Sequence, residues 1–396
     1  MSILPAFVCS KLYDRKLLVA IGFGLVLVGS ILSLVKNLPT LFIGRIICGL
    51  GVGCILQVLP VYILESTLAK CANSLATKFN YGFNLGGFIV ASTINYLLAE
   101  TESGWRWSFG LSGALALASL RLYATIPESP QYFIEMKDIE RAKNSFERTR
   151  GSVIDAEFDK FLAEGEGVYD SLSQPFRFEY MPYLLIACVR EVFMQMTGIF
   201  AINFFALVFL TSVGVFASTS YISSMAVGYT NFIMVILGAK LFGRYKRRVV
   251  MRSSASMMAF KLFMIFGLLR LNDYSVVYFE VDVDVAISVY MFFYVGAYAV
   301  ISGPLGWLSV PLPWRAKNMG SVLTLTISML LMSLMAYMSV PVGCAYKEYI
   351  VLLFAILALV MEAFINILVP ETRNISEEEM GNTPILEEVH MMKPEA

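Results

Sequence analysis

Histidine is almost missing from this chain: His390, in a polar tail, is the single one among 396 residues. That argues against a histidine relay and against a histidine metal cluster. Charge is scarce too. Asp, Glu, Lys and Arg make up 15% of the residues, against about 25% in an ordinary soluble domain. Thirty basic residues balance thirty acidic ones, so the chain lacks the basic excess that a nucleic-acid partner demands. The six cysteines, Cys9, Cys48, Cys54, Cys71, Cys188 and Cys344, mostly sit in apolar runs without paired spacing. They read as small buried hydrophobes, with neither a disulfide framework nor a metal site indicated. A nucleophile–base pair and a glycine-rich phosphate loop in a strand–helix context are both absent from the sequence. An enzyme is therefore not expected, nor a cofactor.

What the chain has in abundance is apolar sequence: 58% of residues are hydrophobic and the mean hydropathy is +0.70. A soluble core of this size would not need so much, so lipid is the expected solvent. Runs of spanning length, each of about twenty residues, cover Leu17–Val35, Leu38–Leu59, Tyr81–Leu98, Trp107–Ile126, Pro182–Thr211, Ile222–Phe242, Val249–Leu271, Val285–Leu308, Gly320–Val340 and Tyr349–Val369. Met1–Ser10 is apolar but too short to span. One polar stretch, Pro127–Met181, interrupts the series. In it Ile134, Ile139, Ala142 and Phe146 recur at helical spacing, which predicts an amphipathic helix lying on a surface. The expected organisation is a helical bundle over 1–126, a polar bridge over 127–181, a second bundle over 182–370 and a tail over 371–396.

The loops alternate in charge. Lys and Arg gather at Lys11–Lys16, Lys70 and Lys78, in the bridge, at Arg244–Arg248, at Arg315 and Lys317, and at Arg373; the intervening loops carry Glu100 and Glu102, or Asp273, Glu280, Asp282 and Asp284. By the positive-inside rule both termini and the bridge are expected in the cytoplasm. The cations Arg252 and Lys261 fall inside the seventh run. Arg252 can snorkel to the surface, whereas the depth of Lys261 has no explanation in the sequence.

The chain also repeats itself. KLYDRK (Lys11–Lys16) precedes the first run and GRYKRR (Gly243–Arg248) the seventh; PESP (Pro127–Pro130) follows the fourth run and PETR (Pro370–Arg373) the last. Each half thus reads basic turn, four spans, Pro-Glu-Ser/Thr. Parallel repeats of helical halves are a transporter architecture. The cations of such a turn can meet carboxylates and helix C-termini and lock one face shut.

These motifs resemble the sugar porters of the major facilitator superfamily. The likeness rests on the two basic turns, on GRIICGLGVG (Gly44–Gly53) with Gln57 and PVYILE (Pro60–Glu65), and on GFNL (Gly82–Leu85) and GWRWSFGL (Gly104–Leu111). It continues through PESPQYFIE, QMTGI (Gln195–Ile199), GPLGWL (Gly303–Leu308) and PETRNISEEEM (Pro370–Met380). The pattern is similar above all to plant sugar transport proteins, which are monosaccharide/proton symporters. The resemblance implies an all-α integral membrane protein with a major facilitator-type two-bundle fold. It implies about ten transmembrane helices, the family's first span and most of its second being absent from a set of twelve. In plant symporters the acid that takes up the driving proton lies in that first span.

A sugar site needs amide side chains, which donate and accept together, and an aromatic ring against one face. The resemblance assigns substrate binding to Gln195, Asn231, Trp307, Gly303 and Asn84, with Met194 and Phe200 standing where the family has amides. It assigns a cytoplasmic gate to Arg15, Arg45, Glu65, Glu128, Arg244, Arg247, Arg248 and Glu371. The expected partners are a monosaccharide, a coupling proton and the bilayer; the expected location is the plasma membrane. Two readings stay open: a hexose transporter working by alternating access, and a transport-incompetent relative, inert or acting through a binding partner.

Overall fold

The computed structural model describes residues 14–66, 86–98, 101–150, 158, 162, 181–200, 217–274, 280–308, 314–346 and 348–368. Twelve helices are described in them: α1 (Arg15–Ser33), α2 (Leu38–Ser66), α3 (Gly86–Leu98), α4 (Gly104–Thr125), α5 (Pro130–Glu135), α6 (Ile139–Arg150), α7 (Met181–Met196), α8 (Ala217–Arg244), α9 (Arg247–Tyr274), α10 (Glu280–Leu308), α11 (Trp314–Tyr346) and α12 (Glu348–Leu368). Each of the ten apolar runs carries a helix. In lipid a chain must satisfy its own backbone, and a helix does so within one segment. Among the described residues, five stretches are long and apolar enough to cross a membrane: Arg15–Ser33, Leu38–Leu59, Met225–Phe242, Arg248–Arg270 and Tyr349–Leu368. Large apolar side chains face outward on these helices, Phe42 at 70% and Ile367 at 68% exposure among them, as a lipid-facing surface requires.

The chain divides into two compact units, Met1–Phe79 with Leu97–Gln174, and Asn80–Tyr96 with Pro175–Ala396. Most of α3 therefore groups with the second unit, where Thr93 Oγ1 and Tyr229 Oη lie 3.1 Å apart.

In the first unit α1 and α2 run antiparallel at very close range. A Cβ placed on Gly51 would lie 2.6 Å from the Gly22 carbonyl oxygen, and one on Gly44 would lie 2.8 Å from that of Gly29. Small residues at the seam let backbones approach, which is what holds helices together once lipid removes the hydrophobic drive. Gly24 and Gly49, by contrast, face open space. Helix α4 joins through Ser112 Oγ, 3.1 Å from Ser30 Oγ, and through Tyr123, whose ring meets those of Tyr62 and Phe23 at a tilt.

The bridge folds on a small core of its own, in which Ile134, Ala142, Phe146 and Phe158 are buried. Ile139 departs from the expected face: it is 52% exposed. It is the first residue of α6, and helical side chains lean toward the N-terminus, so here the chain overhangs the helix end. The break before it comes from Lys137, at φ 60°. Lys137 N donates to Ile134 O and Asp138 N to Phe133 O, a left-handed helix stop; Asp138 then caps α6 by accepting from Arg141 N at 3.2 Å.

In the second unit α9 and α12 are antiparallel and keep one register along their length. Arg248 donates to the Asn366 carbonyl, Ser256 Oγ to Glu362 Oε1 at 2.6 Å, and Arg270 Nη1 to Tyr349 Oη at 2.5 Å. The core between α9, α10 and α12 is built on Met258, Leu262, Ile287, Met291, Tyr294, Ala355 and Met361, all nearly inaccessible. Lys261 finds its account here. Its Nζ lies 5.0 to 5.3 Å from the ring centroids of Phe260, Tyr290 and Phe293, and such faces attract a cation held away from water.

Candidate functional site

Helix α7 stops at a strained point. Gly198 has φ +80°, and a Cβ there would overlap the ring of Phe354; only glycine fits. The helix resumes at Ile199. The carbonyl of Thr197, released by the break, accepts from Tyr294 Oη at 2.7 Å, while Thr197 Oγ1 donates back to Met194 O at 2.9 Å. Gln195 is in the last turn before the break and is 3% exposed. Its Nε2 donates to Ser328 Oγ of α11 at 2.7 Å. Its Oε1 is buried with no hydrogen-bond partner among the described residues. A buried acceptor left unmet costs about 1–3 kcal/mol, so this amide is poised to receive a donor. In α2 of the first unit, Gln57 Oε1 is in the same condition.

The other expected substrate residues are spread more widely. Asn231 is half-buried on α8, and no hydrogen bond joins it to Gln195. Gly303 and Trp307 fall four residues apart in the last turns of α10, hence on one face of that helix. Asn84 lies outside the described residues. Met194, at 5% exposure, is part of the hydrophobic core, so at this position an apolar side chain meets an apolar environment.

A second polar cluster forms where α1 begins. Glu128 accepts from the backbone of Lys16, Oε2 at 3.0 Å and Oε1 at 3.3 Å, and from Ser129 N at 2.9 Å, so its carboxylate caps α1 from a distance in sequence. Burial pushes the Glu128 carboxyl above the usual range, against the pull of those two N–H groups. Arg15, 3% exposed, donates from Nη1 to Ser129 Oγ at 3.3 Å. Lys16 Nζ donates to Ala124 O, at the end of α4, at 3.0 Å. Tyr62 Oη donates to Pro127 O at 2.6 Å, and Ser145 Oγ to the Glu128 carbonyl. A hydrogen bond to Asp14 holds the Tyr132 phenol neutral, pushed up to about 12.

The second unit repeats one of these contacts. Arg248, the last residue of its basic turn as Lys16 is of the first, donates to Asn366 O at the end of α12. Arg244 ends α8 and is exposed; Glu65 and Arg247 are placed on α2 and α9; Glu371 lies outside the described residues. Arg45 does not join the set expected for it. It sits in the second turn of α2, at the end of the first unit opposite Glu128, with its guanidinium 3.6 Å from the centroid of the Phe109 ring. Antiparallel packing of α1 and α2 separates Arg45 from Arg15 and Glu128, with which the resemblance had grouped it.

The family model described as "Sugar (and other) transporter" matches residues 2–383. The chain belongs to that family. Sugar transport protein 1 of Arabidopsis thaliana is 28% identical over 401 residues, covering 96% of this chain and 75% of that protein. Sugar carrier protein C of Ricinus communis is 27% identical, covering 96% and 74%. Among solved structures, the major facilitator superfamily proton:xylose symporter XylE bound to 6-bromo-6-deoxy-D-glucose superposes with a TM-score of 0.76 at 20% identity, over 96% of this chain and 85% of that one. The inward-open xylose transporter XylE from E. coli gives 0.73 at 18% identity. The fold is that of the major facilitator superfamily, and this family member is a multi-pass membrane protein.

Reasoning from the family's motifs missed one pair in α7. Arg190 Nη2 and Glu191 Oε1 are 2.5 Å apart, with side chains 8% and 18% exposed. The signal was available: two adjacent charges inside the run Pro182–Thr211. Ser328 and Tyr294, which tie down Gln195 and the helix break, carried no such signal. A serine and a tyrosine in apolar helices are ordinary.

Proposed function

We propose that this chain carries a hexose-sized monosaccharide across the plasma membrane by alternating access, in symport with a proton. The observation that carries the reading is Gln195: an amide fixed by Ser328, beside a glycine break, with a buried acceptor free for a sugar hydroxyl. Asn84, Asn231, Gly303 and Trp307 complete the proposed site. Arg15, Glu65 and Glu128 are the proposed gate residues of the first unit, and Arg244, Arg247, Arg248 and Glu371 those of the second; these segments and both termini are proposed to be cytoplasmic. Membership of the sugar transporter family and the proton symporter among the fold's neighbours support the same reading.

Radiolabelled hexose uptake in transport-null cells, with and without a protonophore, tests it. Uptake above empty vector that the protonophore abolishes is the expected result. Gln195→Ala removes a hydrogen bond worth about 1–3 kcal/mol, so the apparent affinity falls by roughly 5- to 150-fold. Uptake equal to empty vector, with normal surface expression, would instead favour a relative that acts through a binding partner.

A further inference from the structure

We infer that this chain binds the phosphate headgroup of an anionic membrane lipid in the crevice between bridge helix α6 and the ends of α1 and α4. The crevice has a volume of about 670 Å³ and lies wholly within the first unit. One face of α6 supplies Arg141, Asn144 and Arg148 to its lining, at the i, i+3 and i+7 spacing that puts side chains on one side of a helix. Lys16 lines it from the first turn of α1. The apolar part of the lining is Leu17 and Ala20 of α1 and Leu120 of α4. One turn further along those helices, Ile21 at 45% and Leu117 at 42% exposure continue the outward-facing apolar surface. Helix α1 is long and apolar enough to span a membrane from Arg15 onward, so the crevice sits where a span leaves the hydrocarbon, at headgroup depth. Basic pockets beside spans on the cytoplasmic side are where anionic headgroups bind.

The donors suit a phosphate. A guanidinium takes two phosphate oxygens at once. Arg148 is exposed and forms no ion pair among the described residues. Arg141 is 3.2 Å from Asp138 in a pair that faces solvent, and such pairs are weak enough to exchange. Lys16 Nζ gives one donor to Ala124 O and keeps two more. The carboxylates of Asp14 and Glu128 also line the crevice, but both are engaged: Glu128 by the N–H groups of Lys16 and Ser129, Asp14 by the Tyr132 phenol. The three cations outweigh them. A soluble phosphate would use the polar face of α6 alone; the apolar lining, open toward the lipid-facing sides of α1 and α4, is what selects a headgroup that carries acyl chains. A phosphate held by α6 and Lys16 together ties the bridge to the first bundle, next to the contact of Ser145 Oγ with the Glu128 carbonyl. Nothing in this site depends on what the chain transports.

The full chain, monodisperse in detergent, is titrated with dioctanoyl phosphatidic acid, dioctanoyl phosphatidylcholine or glycerol 3-phosphate, and bound ligand is counted by native mass spectrometry. Phosphatidic acid is expected to bind about tenfold more tightly than the other two, or better. Arg141→Gln and Arg148→Gln are each expected to weaken it about fivefold, and together roughly 25-fold. Lys143→Gln makes the same charge change on α6 outside the crevice lining and is expected to leave binding as in the parent. Equal binding of phosphatidic acid and phosphatidylcholine overturns the proposal. So does a double variant at Arg141 and Arg148 that binds like the parent, or a loss in Lys143→Gln as large as theirs, which would mark diffuse surface charge. Glycerol 3-phosphate binding as tightly as the lipid overturns it too, and assigns the crevice to a soluble phosphate.

Discussion

At the scale of single residues, Glu128 shows how burial and hydrogen bonding compete on one carboxyl. Burial is the larger influence and raises its protonation point; the N–H groups of Ser129 and Lys16 oppose it. The folded protein thus holds this proton to higher pH than the unfolded chain does. The contribution to stability is greatest below the unfolded value and declines as pH rises through the raised one. Glu128→Gln fixes the neutral form, so its melting temperature in detergent should vary less than the parent's between about pH 4 and pH 7. Equal slopes would remove burial as the cause. Lys16 and Arg248 make a second residue-scale case. Each places a cation on a carbonyl at the end of the last long helix of its half. Lys16→Met and Arg248→Met should each lower stability by about 0.3–1 kcal/mol in thermal or denaturant unfolding.

At the scale of elements, the α1–α2 pair depends on which glycines lie in the seam. Gly51 has the Gly22 oxygen at 2.6 Å and Val26 N at 2.9 Å from where its Cβ would be, whereas Gly49 has open space. Gly51→Val must therefore push the helices apart, at a cost of about 1–3 kcal/mol. Gly49→Val should stay within about 0.5 kcal/mol of the parent. Thermal unfolding of the two purified variants separates them; equal losses would mean that the seam is not the close contact described. The motif GLGVG does not itself say which glycine does which, because adjacent turns of one helix point to different neighbours.

At the scale of the whole molecule, the basic turns recur in sequence and their contacts recur in space. Orientation in the membrane is the property that follows from the charge pattern. An acceptor loop inserted after Glu102 should be glycosylated and one at Glu147 should not; the reverse pattern would invert the protein. The helical runs were legible from composition, since lipid forces every apolar span into one conformation. In the bridge, spacing gave the buried positions Ala142 and Phe146 of α6, but not the break at Lys137 that puts Ile134 on the separate helix α5, nor the exposure of Ile139, which depends on where α6 starts rather than on period.

Sequence by itself determined the solvent, the helices, the repeat and the family, because each is written in local composition or in motifs a few residues long. Tertiary structure alone decided what the polar groups in those helices do. Gln195 and Ser328 are 133 residues apart in the chain, and Tyr294 is 97 residues from the carbonyl it satisfies. Periodicity gives a helix its faces but not the helix each face will meet. In a lipid-solvated bundle, where most faces are equally apolar, that choice rests on small residues and hydrogen bonds brought together only by the fold.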